Sequence, residues 1–206
     1  MIVIIDYGLG NLGSVKNVLD KLGVISVVSS SVKDIRKASG LILPGVGAAG
    51  EGMKNLKELR LDKIIMQEAA KEKPILGICL GMQLLMSKSE EGDVDCLNSI
   101  DGQVLKFDTP LKVPQIGWNT VKMDRKNKLF KKIPNNSYFY FVHSYYCSPS
   151  ENEAGIGITE YGIKFCSAIQ KNNIFGVQFH PEKSGENGLR LLKNFTDIVY
   201  EDNTGD

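Results

Sequence analysis

Residues 75–85 read Ile75-Leu76-Gly77-Ile78-Cys79-Leu80-Gly81-Met82-Gln83-Leu84-Leu85, and the reading of this stretch decides the fold. The apolar run Pro74–Ile78 predicts a buried strand, and Cys79–Met86 opens a helix. A cysteine stands at the corner between them. Gly77-Ile78-Cys79-Leu80-Gly81 is the cysteine form of the Gly-x-Ser-x-Gly nucleophile elbow, in which glycines allow a sharp turn that lifts the side chain out of the sheet edge. The helix that follows brings backbone N–H groups and a positive dipole end beside the sulfur, which favours a thiolate.

Working outward, the first half alternates strand and helix. Ile2–Asp6, Val24–Val28 and Leu41-Ile42-Leu43 read as strands. Asn11–Leu22, Val32–Lys37 and Met53–Lys71 read as helices, the last broken near Arg60-Leu61-Asp62. Short apolar strands separated by helices predict a parallel sheet with right-handed crossovers. Ligands bind such sheets at the carboxyl ends of the strands, where Gly8–Gly13, Gly45–Gly52 and Cys79 all fall. From about Ile100 the texture changes to close-spaced strand candidates: Val104–Phe107, Thr120–Met123, Tyr138–Val142, Gly155–Glu160, Phe165–Gln170 and Ile174–Phe179. Several pair as hairpins and are therefore antiparallel. A helix over Glu186–Tyr200 and a polar tail, 201–206, close the chain. The predicted fold is α/β, an open, mostly parallel central sheet flanked by helices, with antiparallel strands in the C-terminal half. One domain is expected over 1–200, because Cys79 and the chemistry near residue 180 lie in different halves.

With 206 residues and a net charge of +1, no large field advertises nucleic acid or membrane. The four cysteines, Cys79, Cys96, Cys147 and Cys166, show no C-x-x-C spacing, which argues against a zinc ribbon or redox dithiol and fits thiols in a reducing compartment. No apolar run approaches the ~20 residues of a membrane span, and Met1 leads straight into a strand. A cytoplasmic enzyme without metal or cofactor is the expectation.

Gly8-Leu9-Gly10-Asn11-Leu12-Gly13 matches the Gly-x-Gly-x-x-Gly dinucleotide fingerprint. That fingerprint also wants an acid at the end of the second strand, where this chain has Ser29-Ser30-Ser31. A plain reading suffices: the glycines make a tight turn and let the helix pack close.

A cysteine nucleophile needs a base. Only two histidines exist, His143 and His180. His180 follows an apolar strand at its carboxyl end, and Glu182 stands two residues on, beyond Pro181. A carboxylate accepting from one ring nitrogen sets the tautomer and stabilises imidazolium. His143, in Phe139-Tyr140-Phe141-Val142-His143-Ser144-Tyr145-Tyr146, is either part of a buried strand or the polar tip of a pocket or partner surface. Attack on a carbonyl creates an oxyanion that needs two donors. Leu80 N–H is the first, and the loop Gly45-Val46-Gly47 offers the second. Cys96, Cys147 and Cys166 lack the elbow and read as structural.

These residues resemble the class I (triad-type) glutamine amidotransferases, and within them the glutaminase subunits of imidazole glycerol phosphate synthases. The resemblance spans almost the whole chain. It rests on Asp6–Leu12, Leu43–Gly47, Gly77–Gln83, Pro114-Gln115-Ile116-Gly117-Trp118-Asn119, Tyr140–Tyr145 and Gly176–Ser184. It implies a flavodoxin-like fold and hydrolysis of glutamine by Cys79, His180 and Glu182. The oxyanion would rest on Leu80, Val46 and Gly47, and Gly47, Gln83, Ser144 and Tyr145 would hold the substrate. It also implies a partner, a (β/α)8-barrel cyclase subunit that receives ammonia through a channel in histidine biosynthesis. Asn11, Gln115, Trp118, Asn119 and Lys183 would lie at that interface, with Pro114–Asn119 as a docking loop; otherwise Trp118 simply fills the core. Where the family often carries an aromatic two residues after Gly47, this chain has Ala49. Three alternatives stay open: a paralogous glutaminase feeding another synthase, such as one amidating surface sugars; another Cys–His hydrolase on the same architecture; and a nucleotide-binding module using Gly8–Gly13.

Overall fold

The computed structural model describes residues 1–123 and 127–201; of the expected polar tail, 202–206 lie outside the described residues. Strands β1 (Ile2–Ile5), β2 (Ser26–Ser29), β3 (Gly40–Gly45) and β4 (Ile75–Cys79) alternate with helices α1 (Leu12–Lys21), α2 (Val32–Lys37), α3 (Ala49–Glu58) and α4 (Leu61–Ala69). Helix α5 (Leu80–Leu84) leaves the end of β4 without a linker. The short strands β5 (Lys88–Ser89) and β6 (Val94–Asp95) follow, then β7 (Gly102–Lys106), β8 (Gln115–Val121), β9 (Ser137–His143), β10 (Tyr145–Pro149), β11 (Gly155–Tyr161), β12 (Ile163–Lys171), β13 (Ile174–Val177) and α6 (Gly185–Glu201).

The main sheet runs β2-β1-β3-β4-β13-β12-β10-β7-β5-β6, with β11 on β12. Strands β2, β1, β3, β4 and β13 are mutually parallel, whereas β12, β10 and β7 follow with each strand antiparallel to the one before it. Successive residues of β1 serve opposite faces. Ile2 and Ile4 join α1 and α6 (Val15, Leu19, Leu191, Phe195), while Val3 and Ile5 join α2 to α5 (Ile35, Met53, Ile65, Leu84). Both faces are covered, so these strands are uninterrupted apolar runs rather than alternating ones. Because β13 lies beside β4, residues near 180 come to the same carboxyl edge as Cys79.

Four details differ from the sequence reading. The second strand begins at Ser26, not Val24, because the chain first turns through Gly23 at φ +71° and leaves Ile25 exposed. The third helical stretch starts at Ala49 rather than Met53; its break falls at Arg60 as expected, where a φ of 58° cannot continue a helix. Strand β10 lies where the sequence shows only an aromatic stretch. Finally, 115–119 is not a loop: Gln115–Val121 is a seven-residue strand in a separate ribbon with β9. Its two ends and the facing β9 show the alternation. Gln115 and Val121, with Ser137, Phe139, Phe141 and His143 of β9, are buried, whereas Ile116, Trp118 and Tyr138 are exposed on the other side.

The glycine-rich loop after β1 turns through Gly8 (φ +83°) and Gly10 (φ +119°). Helix packing is not why Gly13 is glycine, contrary to the plain reading above, since a Cβ there would meet nothing within 4 Å.

Candidate active site

Register places the site. Gly45 pairs with Cys79 and Val177 with Ile78, so three strand ends meet at one edge. Cys79 itself has φ 54° and ψ −110°, a conformation that costs a side-chain-bearing residue about 1–3 kcal/mol. The glycines make it feasible. A Cβ at Gly81 would sit 1.7 Å from the Leu43 carbonyl oxygen, and one at Gly77 would sit 2.7 Å from the Gly81 carbonyl group. Strand, elbow and helix are thus packed backbone to backbone, and Cys79 is pushed outward at the start of α5.

A cavity of about 350 Å³ opens there, and Cys79, Leu80, Val46 and Gly47 line one side of it. Leu80 supplies the first N–H of α5, and Gly47 holds φ +105°. Gln83, Ser144, Tyr145, His143 and Glu91 line the rest, with Pro114 and Val142. The two expected oxyanion segments and the four expected substrate residues therefore border one space.

His180 follows β13 and caps the 3-10 turn Pro181–Lys183. Its backbone N–H donates to the Tyr140 carbonyl at 2.9 Å, and Ser184 Oγ donates to the His180 carbonyl at 2.6 Å. The Tyr140 N–H in turn donates to Ser184 Oγ at 3.0 Å, which locks the turn to β9. Nδ1 of His180 lies 2.8 Å from Glu182 Oε1, with both side chains buried. Among the described residues Nε2 has no hydrogen-bond partner; the Cys79 sulfur is close enough to act on the ring. Burial opposes a charged imidazole here, but the Cys79 sulfur and the Glu182 carboxylate outweigh it and push His180 up to about 10. At neutral pH this histidine is imidazolium. A sulfur beside a buried imidazolium is arranged for nucleophilic attack on a carbonyl and for proton delivery to a leaving amine.

His143 unites both of its sequence readings, being buried and also lining the cavity. Burial pushes it down to about 4, against a raising contribution from the Tyr145 carbonyl. The ring is therefore neutral. Nδ1 donates to Tyr145 O at 2.7 Å, and Nε2 lies 3.0 Å from Gln115 Oε1.

Two residues escaped the sequence reading. Gln178 is fully buried, accepts from Gln83 Nε2 at 3.0 Å and directs its own Nε2 at the Cys79 sulfur, 3.6 Å away. Its signal was a polar residue between Val177 and Phe179, on the same side of the chain as His180. The Gln83 amide also donates to Tyr145 O at 3.0 Å, so its two N–H bonds hold the wall and only its oxygen is left for a ligand. Glu91 is the one acidic side chain on the cavity among the described residues, and its Oε2 accepts from Ala49 N–H at 2.8 Å, closing the start of α3. Nothing local in the sequence marks it.

Of the expected interface residues, Trp118 is exposed and meets the Tyr140 ring edge-on at 6.1 Å, which removes the core-filling alternative. Lys183 Nζ stands 5.9 Å from the centre of that ring. Asn11 is half-buried at the entry to α1, and Asn119 turns back to donate to the Glu160 carbonyl at 2.9 Å. Gln115 is a correction. Strand parity points it inward onto His143, so it is 3% exposed and absent from the outer face.

Residues 3–199 match the family described as glutamine amidotransferase class-I, and the chain belongs to that family. Its relatives include "Imidazole glycerol phosphate synthase subunit HisH" of Moorella thermoacetica, 50% identical over 96% of this chain and 95% of the relative. The protein of the same name from Chlorobaculum tepidum is 49% identical over 96% and 100%. Among solved structures, a glutamine amidotransferase from Thermotoga maritima superimposes with a TM-score of 0.66 at 19% identity, covering 100% of this chain and 85% of that one; this likeness speaks to the fold alone.

Proposed function

We propose that this chain is the glutaminase subunit of an imidazole glycerol phosphate synthase, hydrolysing glutamine to glutamate and ammonia and passing the ammonia to a (β/α)8-barrel cyclase subunit in histidine biosynthesis. The observation that carries this reading is the meeting of Cys79, Leu80 and the Val46–Gly47 loop around one cavity, with the His180–Glu182 pair beside the sulfur.

Cys79 attacks the side-chain carbonyl of glutamine. The oxyanion takes hydrogen bonds from Leu80 N–H and from the Val46–Gly47 loop. His180, charged at neutral pH, protonates the departing ammonia. As the neutral base it then takes a proton from the water that hydrolyses the thioester. Glu182 holds Nδ1 and keeps Nε2 toward the chemistry. Gly47, Ser144, Tyr145 and the Gln83 oxygen hold the substrate, and Glu91 provides the negative charge that its α-ammonium group requires.

The β8–β9 ribbon supports the partner. Ile116, Trp118 and Tyr138 are all more than half exposed on one face, and a large exposed apolar patch marks an interaction surface. Tyr140, with Trp118 edge-on to it and Lys183 over its ring, forms the centre, with Asn11 at the border. No helix among the described residues is long and apolar enough to cross a membrane, and a cytoplasmic site of action with one domain over 1–200 completes the reading.

The test mixes the chain with a cyclase of that type. The chain alone is expected to release glutamate slowly, and the mixture with the cyclase's ligand is expected to release it much faster. Full-speed hydrolysis by the isolated chain, unaffected by any cyclase, would contradict the proposal.

A further inference from the structure

Tyr7 lies two residues beyond the end of β1, among the residues under the sheet edge. It is 1% exposed, and its hydroxyl has no hydrogen-bond partner among the described residues. An orphaned buried hydroxyl is uncommon and destabilising, and phenylalanine would fill the same space without it. Its surroundings suggest why a hydroxyl is kept. A Cβ on Gly45 would lie 2.3 Å from Tyr7 Oη, 2.8 Å from Leu80 Cβ and 3.1 Å from the Gly81 backbone nitrogen. The hydroxyl is therefore pressed against the Gly45 backbone, between the two segments read as oxyanion donors. Burial, with the nearby Cys79 adding to it, raises the phenol far above its ordinary range. The group remains protonated and is available as a donor.

The stereochemistry of one peptide supplies the missing acceptor. In a trans peptide the N–H and the preceding C=O point in opposite directions. When Val46 N–H faces the cavity, the Gly45 carbonyl faces away from it, and Tyr7 Oη is the buried donor that lies against Gly45. A buried carbonyl needs a donor as much as a buried hydroxyl needs an acceptor. We propose that Tyr7 is a positioning residue for the oxyanion site, donating to the Gly45 carbonyl in the state that presents Val46 N–H to the substrate. This inference rests on the assignment of Val46 and Gly47 as oxyanion donors.

The experiment is Tyr7→Phe in the full chain, assayed with its cyclase partner for glutamine turnover, with thermal unfolding and Cys79 alkylation by iodoacetamide measured alongside. Alkylation is a displacement that forms no oxyanion, so it reports the thiolate alone. The expected result is a kcat lowered at least about tenfold, KM within about twofold, and alkylation within about twofold. The thermal midpoint stays unchanged or rises, since the hydroxyl lost has no hydrogen-bond partner among the described residues. A wild-type kcat, with alkylation still abolishing turnover, would overturn the Tyr7 role while leaving the Cys79 reading intact. A kcat loss accompanied by lower stability and slower alkylation would reduce Tyr7 to a packing residue and overturn it too. Turnover that survives complete alkylation of Cys79 would bring down the underlying assignment and this inference together.

Discussion

His143 Nε2 faces the Gln115 side-chain amide at 3.0 Å, inside the ribbon whose opposite face carries Trp118. Gln115 Oε1 is the atom placed against Nε2, so a neutral ring that gives its one N–H to Tyr145 requires the Gln115 amide turned over, its nitrogen donating to Nε2. The polar chain continues from the Tyr145 carbonyl through Gln83 and Gln178 to the Cys79 sulfur. A neutral His143 is thus built into the cavity wall.

That arrangement fixes a pH dependence. The folded His143 binds its proton near pH 4, against about 6.5 for an unfolded histidine. Between those values the unfolded chain holds the extra proton, so stability falls as pH drops through the window. The slope contributed is at most about 1.4 kcal/mol per pH unit. His180 has the opposite sign. Its folded value near 10 makes its contribution complete below about pH 6.5 and lost as pH rises toward 10. Urea unfolding of His143→Gln between pH 6.5 and 5 is expected to show a flatter acid limb than the parent; an identical limb would count against the buried neutral ring.

Gly81→Ala is expected to be severely destabilising, by about 3 kcal/mol or more, because the new methyl meets backbone rather than a movable side chain. Gly13→Ala makes the contrast. It lies in α1 with open space around its Cβ, and is expected to stabilise by up to about 1 kcal/mol through helix propensity and a less flexible unfolded chain. Thermal unfolding of the pair checks both signs.

Glu91→Gln keeps an oxygen that can accept from Ala49 N–H and removes only the charge. Glutamine KM is expected to rise about tenfold to a hundredfold, the worth of a charge-assisted hydrogen bond, with kcat little changed. Steady-state kinetics at saturating partner measure this, and an unchanged KM would remove Glu91 from substrate binding.

Trp118→Ala is expected to leave the stability of the free chain within about 0.5 kcal/mol, as for other exposed positions, while weakening cyclase binding about thirtyfold or more, as for a central aromatic anchor. Calorimetric titration separates the two. Unaltered affinity would move the interface off this ribbon.

The elbow was legible in the sequence because its requirement is local: only glycine fits at 77 and 81, and both are written beside Cys79. His180 was legible through scarcity, as one of two histidines, placed after an apolar strand. What failed depended on distant pairing. Whether Gln115 or Ile116 faces inward is set by the register of β8 against β9, and Gly117 and Trp118 disguise the alternation. Glu91 reaches the cavity only through the fold of β5, β6 and α3, so no spacing announced it. Trp118 left two readings open because an aromatic residue suits a core and an interface equally well.

The most direct measurement is glutamine-dependent against ammonia-dependent product formation by the Cys79→Ala chain bound to its cyclase. Glutamine-dependent formation is predicted to fall at least about a thousandfold, with the ammonia-dependent rate within about twofold of the parent. Glutamine turnover at the parental rate without the sulfur would contradict the account.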